Sequence, residues 1–251
     1  MIIEQLKQQG QVKVPDLSNR FTVSEETVRR DLILLEKEGL AKRVYGGAVL
    51  NKPISYEPPY LQRQKVRLEE KERIGRMAAE LIESGDTIVI DVGTTTLELA
   101  KAIAGRERLT ILTNSLAVAY HLMESLNNGR FSGKIFVVGG ELNSEQQSMS
   151  GTLGESVISQ FRVDKAFISI GGISPERGIS DYDPSETGMS RRMVEAAYQT
   201  VVLADGSKFN KEAFIEIVPL RKVHTIVSDV APPKEWLQML RSCHIHWIEA
   251  K

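Results

Sequence analysis

The sequence predicts an α/β protein in two parts: an N-terminal winged helix-turn-helix joined to a larger, mostly parallel α/β domain. Three observations carry this prediction. Residues 1–50 hold two short amphipathic helices, a brief turn between them and a hairpin pattern after them. A proline-rich stretch follows. Beyond it, near-continuous β-branched runs alternate with helical stretches, the pattern of a parallel sheet covered on both faces. The boundaries read as a head over 1–52, a linker over 53–61 and a body over 62–251.

Composition excludes several classes first. The chain has 251 residues, 41% apolar and 26% charged, ordinary for a globular protein. It shows no apolar run of about 20 residues and no signal-peptide start, so no membrane partner is expected. The single cysteine, Cys243, rules out an internal disulfide framework and fits a reducing compartment, so a cytoplasmic location is expected. Net charge is −1, but residues 1–75 carry 14 Lys+Arg against 11 Asp+Glu, leaving 18 against 22 for the rest. A mildly basic head on an acidic body fits a nucleic-acid partner for the head.

Within the head, Pro15–Phe21 reads as a short helix with proline in its first turn. Thr22-Val23 makes the turn, and Ser24 is suited to cap a second helix whose first turn holds Glu25 and Glu26. At 3.6 residues per turn, Val28, Leu32 and Leu35 share a buried stripe. Glu26 and Arg30 then point away from it, flanked by Thr27 and Arg29, which suits a recognition helix facing base edges and phosphates. Asp31 lies nearer the core, as a local partner for an arginine. Gly39 ends the helix, and residues 40–50 read as a hairpin turning at Gly46-Gly47. Arg43 and Tyr45 beside that tip suit a wing. The candidate DNA contacts are thus Ser24, Glu26, Thr27, Arg29, Arg30, Arg43 and Tyr45.

The linker holds three of the nine prolines, each fixing φ and lacking a donor, so it reads as extended. A charged helix is expected from Gln62 to about Glu83. Strands follow at 87–90, 109–112, 134–138, 166–170, 200–203 and 225–227, with a further candidate at 244–248.

The end of the first of these strands carries the second chemical signal. Asp91-Val92-Gly93-Thr94-Thr95-Thr96 is a glycine-containing loop opening a helix, with free N–H groups and three hydroxyls for an anion. It is neither a G-x-G-x-x-G turn nor a Walker loop. Later strand ends add Asn114 and Ser115, Gly139-Gly140 and Gly171-Gly172. Asp181, Glu186 and Lys208 come after them. If these loops converge at the carboxyl ends of the strands, they suit a phosphorylated polyol. Its phosphate would sit on the threonine turn, its hydroxyls on Asn114, Asp181 and Glu186, with Lys208 serving either.

Val23-Ser24-Glu25-Glu26-Thr27-Val28-Arg29-Arg30-Asp31-Leu32, then Gly39-Leu40 and Arg43-Val44-Tyr45-Gly46-Gly47-Ala48, closely resemble the N-terminal signature of DeoR-family bacterial regulators. The Asp-x-Gly-Thr-Thr loop, Thr113-Asn114-Ser115, Phe167-Ile168-Ser169-x-Gly171-Gly172 and Leu203-Ala204-Asp205-x-Ser207-Lys208-Phe209 resemble its effector domain. The resemblance implies a body fold related to ribose-5-phosphate isomerase, with sugar phosphates as inducers. Two departures stand out. Family members usually carry more residues before the first helix than this chain, which begins Met1-Ile2-Ile3. Glycine occupies position 206, where a polar residue is more usual.

The expected function is a DNA-binding regulator, a repressor of a sugar-catabolism operon released from operator double-stranded DNA by a phosphorylated sugar. A homodimer or homotetramer is expected, since one helix-turn-helix reads too few bases. The alternative is a sugar-phosphate isomerase-like enzyme using Asp181 or Glu186 as general base. It leaves the head unexplained. With His121, His224, His244 and His246 scattered, no catalytic set, metal cluster or cofactor is expected.

Overall fold

The computed structural model of the chain describes residues 1–50 and 55–251, without the side chains of Lys7, Gln8 and Leu50. It divides into two compact units, Met1–Tyr56 and Glu57–Lys251.

The first unit opens with α1 (Ile2–Gln9) and β1 (Gln11–Lys13), elements beyond those expected from sequence. The helix-turn-helix follows as α2 (Val14–Phe21) and α3 (Glu25–Lys37). Thr22 sits between them in the left-handed region at φ 54°, which sharpens the turn. Leu6, Val12, Val14, Leu17, Val28, Leu32, Ala41 and Ala48 form the core, so the predicted stripe of α3 faces inward. The Leu40 N–H returns to the Leu35 carbonyl around Gly39 (φ 72°), closing α3 as a Schellman motif. The wing pairs β2 (Ala41–Val44) with β3 (Gly47–Leu50), and β1 extends it to three strands in the order β1-β3-β2.

The wing tip differs from the sequence expectation by one residue. Val44 pairs with Gly47, so the loop is Tyr45-Gly46, with Gly46 at φ 76°. Gly47 has another purpose: a Cβ there would lie 2.0 Å from the Val12 carbonyl oxygen. Only glycine lets β1 approach β3 so closely.

The second unit begins with a segment that departs from the expected linker and helix. Pro53 and Ile54 lie outside the described residues, but Glu57–Leu61 belongs to the body, with Tyr60 1% exposed in its core. The single expected helix is two, α4 (Tyr60–Lys65) and α5 (Leu68–Ala79), broken where Arg67 adopts φ 55°. We call residues 57–67 the strap.

The strands and helices then run β4 (Thr87–Ile90), α6 (Thr94–Ala102), β5 (Leu109–Thr113), α7 (Leu116–Asn127) and β6 (Gly133–Val137). A hairpin, β7 (Glu141–Asn143) and β8 (Ser148–Ser150), leads to α8 (Thr152–Ile158) and β9 (Val163–Ile168). Next come β10 (Gly172–Ser174), β11 (Gly178–Asp181), α9 (Pro184–Ala196), β12 (Ala197–Leu203) and β13 (Ile215–Val218). The chain closes with β14 (Thr225–Ser228), α10 (Leu237–Ser242) and β15 (His246–Glu249).

All seven strands expected in the body form one parallel sheet, in the order β15-β14-β12-β9-β4-β5-β6. Alternate residues feed two cores. Ile88, Ile90, Ile111, Phe167 and Val201 pack with α5, α6 and α7. Val89, Leu112, Ile168, Val202 and Ile226 pack on the opposite face with α9 and α10. The β7–β8 hairpin and the antiparallel β10-β11-β13 sheet are short additions that strand periodicity did not mark.

Candidate functional site: a DNA-reading face and a polar cluster at the sheet switch point

In the head, Ser24 caps α3 by accepting from the Thr27 N–H at 3.2 Å, and its hydroxyl also meets Thr27 Oγ1 at 2.9 Å. These two side chains are therefore engaged with each other at the helix start. Glu26, Arg29, Arg30, Arg43 and Tyr45 are exposed, as the helical phase and the hairpin require. Arg29 pairs with Glu25 at 2.7 Å, one turn back, and Asp31, expected to partner an arginine, has no such partner among the described residues. Both ends of that pair are exposed, so it holds Arg29 only weakly. Arg30 has no side-chain partner among the described residues. The wing is braced from below, where Glu36 accepts the Arg43 N–H at 2.8 Å, leaving the Arg43 side chain free to reach outward.

Arg30→Ala is expected to weaken operator binding by about 1–3 kcal/mol while leaving the body folded. Arg43→Ala is expected to lower the salt slope of binding by about one unit, as for a lost phosphate contact. Quantitative footprinting over a salt series checks both. Unchanged affinity removes Arg30 from the interface, and an unchanged slope removes Arg43.

In the body, the sheet reverses its winding between β4 and β9. Chain connections leave in opposite directions there, so a crevice opens outside the strand ends, where open α/β sheets hold ligands. The loops after these two strands meet closely: a Cβ on Gly93 would lie 2.3 Å from Ser169 Oγ. Asp91 is 1% exposed, accepting from Ser190 Oγ at 2.7 Å and from the Val92 N–H at 2.8 Å. Its burial pushes its carboxyl well above the usual carboxylate range, with the Asp181 and Glu186 charges adding to the effect.

The three threonines divide. Thr96 donates its hydroxyl to the Gly93 carbonyl at 3.0 Å. Thr94 and Thr95 are 4% and 6% exposed, and their hydroxyls have no partner among the described residues. They flank the free N–H groups of the first turn of α6. At the neighbouring strand end, Asn114 is 0% exposed and neither side-chain polar atom finds a partner among the described residues. An unpaired buried amide costs about 1–3 kcal/mol, so such groups call for a ligand or water.

Glu186, 3% exposed, accepts from Ser148 Oγ, and Asn143 Nδ2 lies 3.5 Å from it. Burial raises its pKa to about 7, and that of Asp181 to about 7 as well. Asp181 sits over Gly171, where a Cβ would come within 3.0 Å of Asp181 Oδ1. Lys208 lies in the short helical turn Gly206–Lys208, close enough for its charge to lower the pKa of both Asp181 and Glu57.

Four predicted contacts have structural duties. Ser115 caps α7, accepting from the Val118 N–H at 3.3 Å. Gly139 and Gly140 are exposed, and a Cβ on Gly140 would lie 2.3 Å from the Ser150 carbonyl oxygen, so the pair serves the hairpin. Gly172 lies in β10 against the Lys211 backbone. Gly206, where a Cβ would stand 3.1 Å from Val230 Cγ2, donates its N–H to Asp229 at 2.7 Å.

The strap brings groups that sequence reading missed. The Tyr60 hydroxyl reaches the Gly93 carbonyl at 3.4 Å. Arg63 pairs with Glu57 at 2.8 Å and donates to Gln146 Oε1 at 2.6 Å. Arg67 lies 3.7 Å from Asp205 and 3.5 Å from Asp229, at the ends of β12 and β14. Burial raises the pKa of Glu57 against the lowering effect of Arg63. The one signal available was the Tyr60 to Arg63 spacing after two prolines, which places both on one helical face.

A winged helix-turn-helix in one chain with a domain holding an unpaired polar cluster at its switch point defines a class: a DNA-binding regulator with its own small-molecule sensor. Comparison with known proteins agrees. Residues 1–54 match the model of the DeoR-like helix-turn-helix domain, and residues 66–230 that of the DeoR C terminal sensor domain. The chain is 36% identical over 244 residues to the glycerol-3-phosphate regulon repressor of Escherichia coli K12, covering 97% of this chain and 94% of that one. It is 33% identical to a putative aga operon transcriptional repressor of Escherichia coli O157:H7 (98% and 91% covered). It is also 36% identical to the transcriptional repressor AccR of Agrobacterium fabrum (91% and 87% covered). The chain belongs to the DeoR family of transcriptional regulators. Among solved structures, ribose 5-phosphate isomerase A of Methanocaldococcus jannaschii overlays at a TM-score of 0.39 with 15% identity, covering 55% of this chain and 53% of that one.

Proposed function

We propose that this regulator is a repressor that leaves operator double-stranded DNA when a small phosphorylated sugar or polyol binds the body. The observation that carries the reading is the pair of partnerless hydroxyls, Thr94 and Thr95, at the start of α6, beside the orphaned amide of Asn114. The N–H groups of the α6 first turn and the threonine hydroxyls suit phosphate. Lys208 supplies positive charge. Asn114, Asp181 and Glu186 suit the hydroxyls of the polyol; at neutral pH the two carboxyls, each with a pKa of about 7, can both donate and accept. The names of the relatives support repression, and one is named for the glycerol-3-phosphate regulon.

The head acts as a homodimer or homotetramer, because two half-sites are needed for a specific operator. Effector binding need shift the equilibrium by only about 1–3 kcal/mol to control occupancy. The test is a thermal-shift series with phosphorylated sugars and polyols, each beside its unphosphorylated parent. A ligand for the folded state raises the melting temperature by mass action. The reading expects stabilisation by a phosphorylated member and none by its parent, and release of operator DNA by that same compound. Equal stabilisation by both compounds of a pair would remove phosphate from the mechanism.

A further inference from the structure

Lys71 is the most deeply buried cation of the body among the described residues, 5% exposed. It has no carboxylate within ion-pair distance among the described residues. Its ammonium instead donates to the Arg63 carbonyl at 2.6 Å, joining α5 to the strap. Burial lowers its pKa to about 8, with Lys208 and Arg63 adding to the effect and Asp205 and Glu98 opposing it. Its position relative to the anion nook follows from helix packing. Gly75, one turn further along α5, touches the backbone of α6: a Cβ there would lie 2.4 Å from the Glu98 carbonyl carbon. Both helices start at the carboxyl ends of the strands, α5 where Arg67 meets Asp205 and Asp229 and α6 just after β4, so Lys71 and Thr94–Thr95 each stand about one turn back from that contact.

We propose that Lys71 is a two-position latch: it holds the strap through the Arg63 carbonyl in the empty sensor, and moves to the effector's anionic group when one binds. The inference rests on the reading of the Thr94–Thr95 turn as an anion site. A lysine ammonium is a point charge on a flexible four-carbon stem, so it can swing from one acceptor to another. Both bonds carry the ammonium's charge, but a phosphate adds an opposite charge that a neutral carbonyl lacks, so the ammonium favours the phosphate. An anion at the α6 start therefore draws the ammonium away and frees the strap's C-terminal end. The other end of the strap continues, residue by residue, into the head. The ion pair of Arg63 with Glu57 then remains as the strap's internal tie.

Hydrogen exchange of the full chain, read with and without inorganic phosphate, tests this. In the wild type, phosphate should slow exchange at the amides of residues 94–97. It should also speed exchange about fivefold to tenfold at Gln62, Arg63 and Val66, the equivalent of losing one hydrogen bond. In Lys71→Met the strap should exchange fast without phosphate, with no further acceleration, and protection at 94–97 should weaken. Lys71→Leu, which likewise has no donor, serves the same comparison where Lys71→Met does not fold. Protection at 94–97 with an unaltered strap in the wild type overturns the latch while leaving the anion site standing. A strap that stays slow in both variants overturns it equally. Absence of any protection at 94–97 removes the anion site and the latch with it.

Discussion

A chain carrying both Thr95→Ala and Lys208→Ala is expected to bind operator DNA as the wild type does and to ignore the phosphorylated effector. The reasoning starts from what each group does in the folded protein. The Thr95 hydroxyl has no protein partner among the described residues and caps nothing, in contrast to Thr96, which holds the Gly93 carbonyl. Lys208 lies on a short turn whose backbone is fixed by others: Asp205 accepts the Ser207 N–H at 2.9 Å and Asp229 the Gly206 N–H at 2.7 Å. Neither truncation removes a bond on which the fold depends. For a bound phosphate the loss is large, because hydrogen bonds to a charged group contribute about 1.5–3 kcal/mol each. Together they should weaken the effector at least a hundredfold. Gel-shift titration at rising effector measures the response. Tryptophan fluorescence gives a second readout, since the Phe209 ring beside Lys208 lies 5.6 Å from Trp236 and 5.2 Å from Trp247, the only two tryptophans in the sequence. Release from DNA at the wild-type effector concentration would remove these two residues from the pocket.

Glu186→Gln is expected to stabilise the protein at pH 8 and to leave it unchanged near pH 4. The Glu186 carboxyl ordinarily titrates near 4.5, and burial lifts it to about 7 in the folded chain. Between those values the folded chain holds a proton that the unfolded chain has released. Stability therefore falls as pH rises through the window, and above it the folded protein carries the full cost of a buried charge. That cost is about 3 kcal/mol, an order-of-magnitude figure from the displacement of the pKa. Glutamine has no charge to bury and keeps an oxygen to accept from Ser148. Its stability should still fall with pH, because Asp181 is raised to about 7 as well, but less steeply. Denaturant unfolding at several pH values decides the matter: parallel curves for the two proteins would show that Glu186 ionises freely in the native state.

Why such a carboxyl is retained is a question about the sensor rather than the fold. A protein selected for stability alone would not place Asp91, Asp181 and Glu186 around one crevice and leave Asn114 without a partner. Burying these groups is costly, and the proposed polyol effector would supply the partners they lack.

Much of the molecule was legible in one dimension. The seven sheet strands could be read from β-branched runs because a strand buried on both faces must be apolar throughout. The recognition helix could be phased because Val28 and Leu32 have one inward direction available. The glycine-threonine loop could be read as an anion nook because helix starts leave N–H groups free in any fold. These are properties of neighbours along the chain, and local chemistry determines them.

The tertiary structure alone decided which of those local sites act together. Sheet order placed the switch point between β4 and β9, and so joined Asp91 to Ser190, 99 residues away, and Arg63 to Gln146, 83 residues away. It assigned Gly47 to a close backbone approach rather than a turn, set Ser115 to capping α7 and tied Thr96 to the Gly93 carbonyl. It folded the expected linker end, Glu57 to Leu61, onto the body. Burial and strand order depend on what the rest of the chain excludes from water, and no window of sequence contains that information.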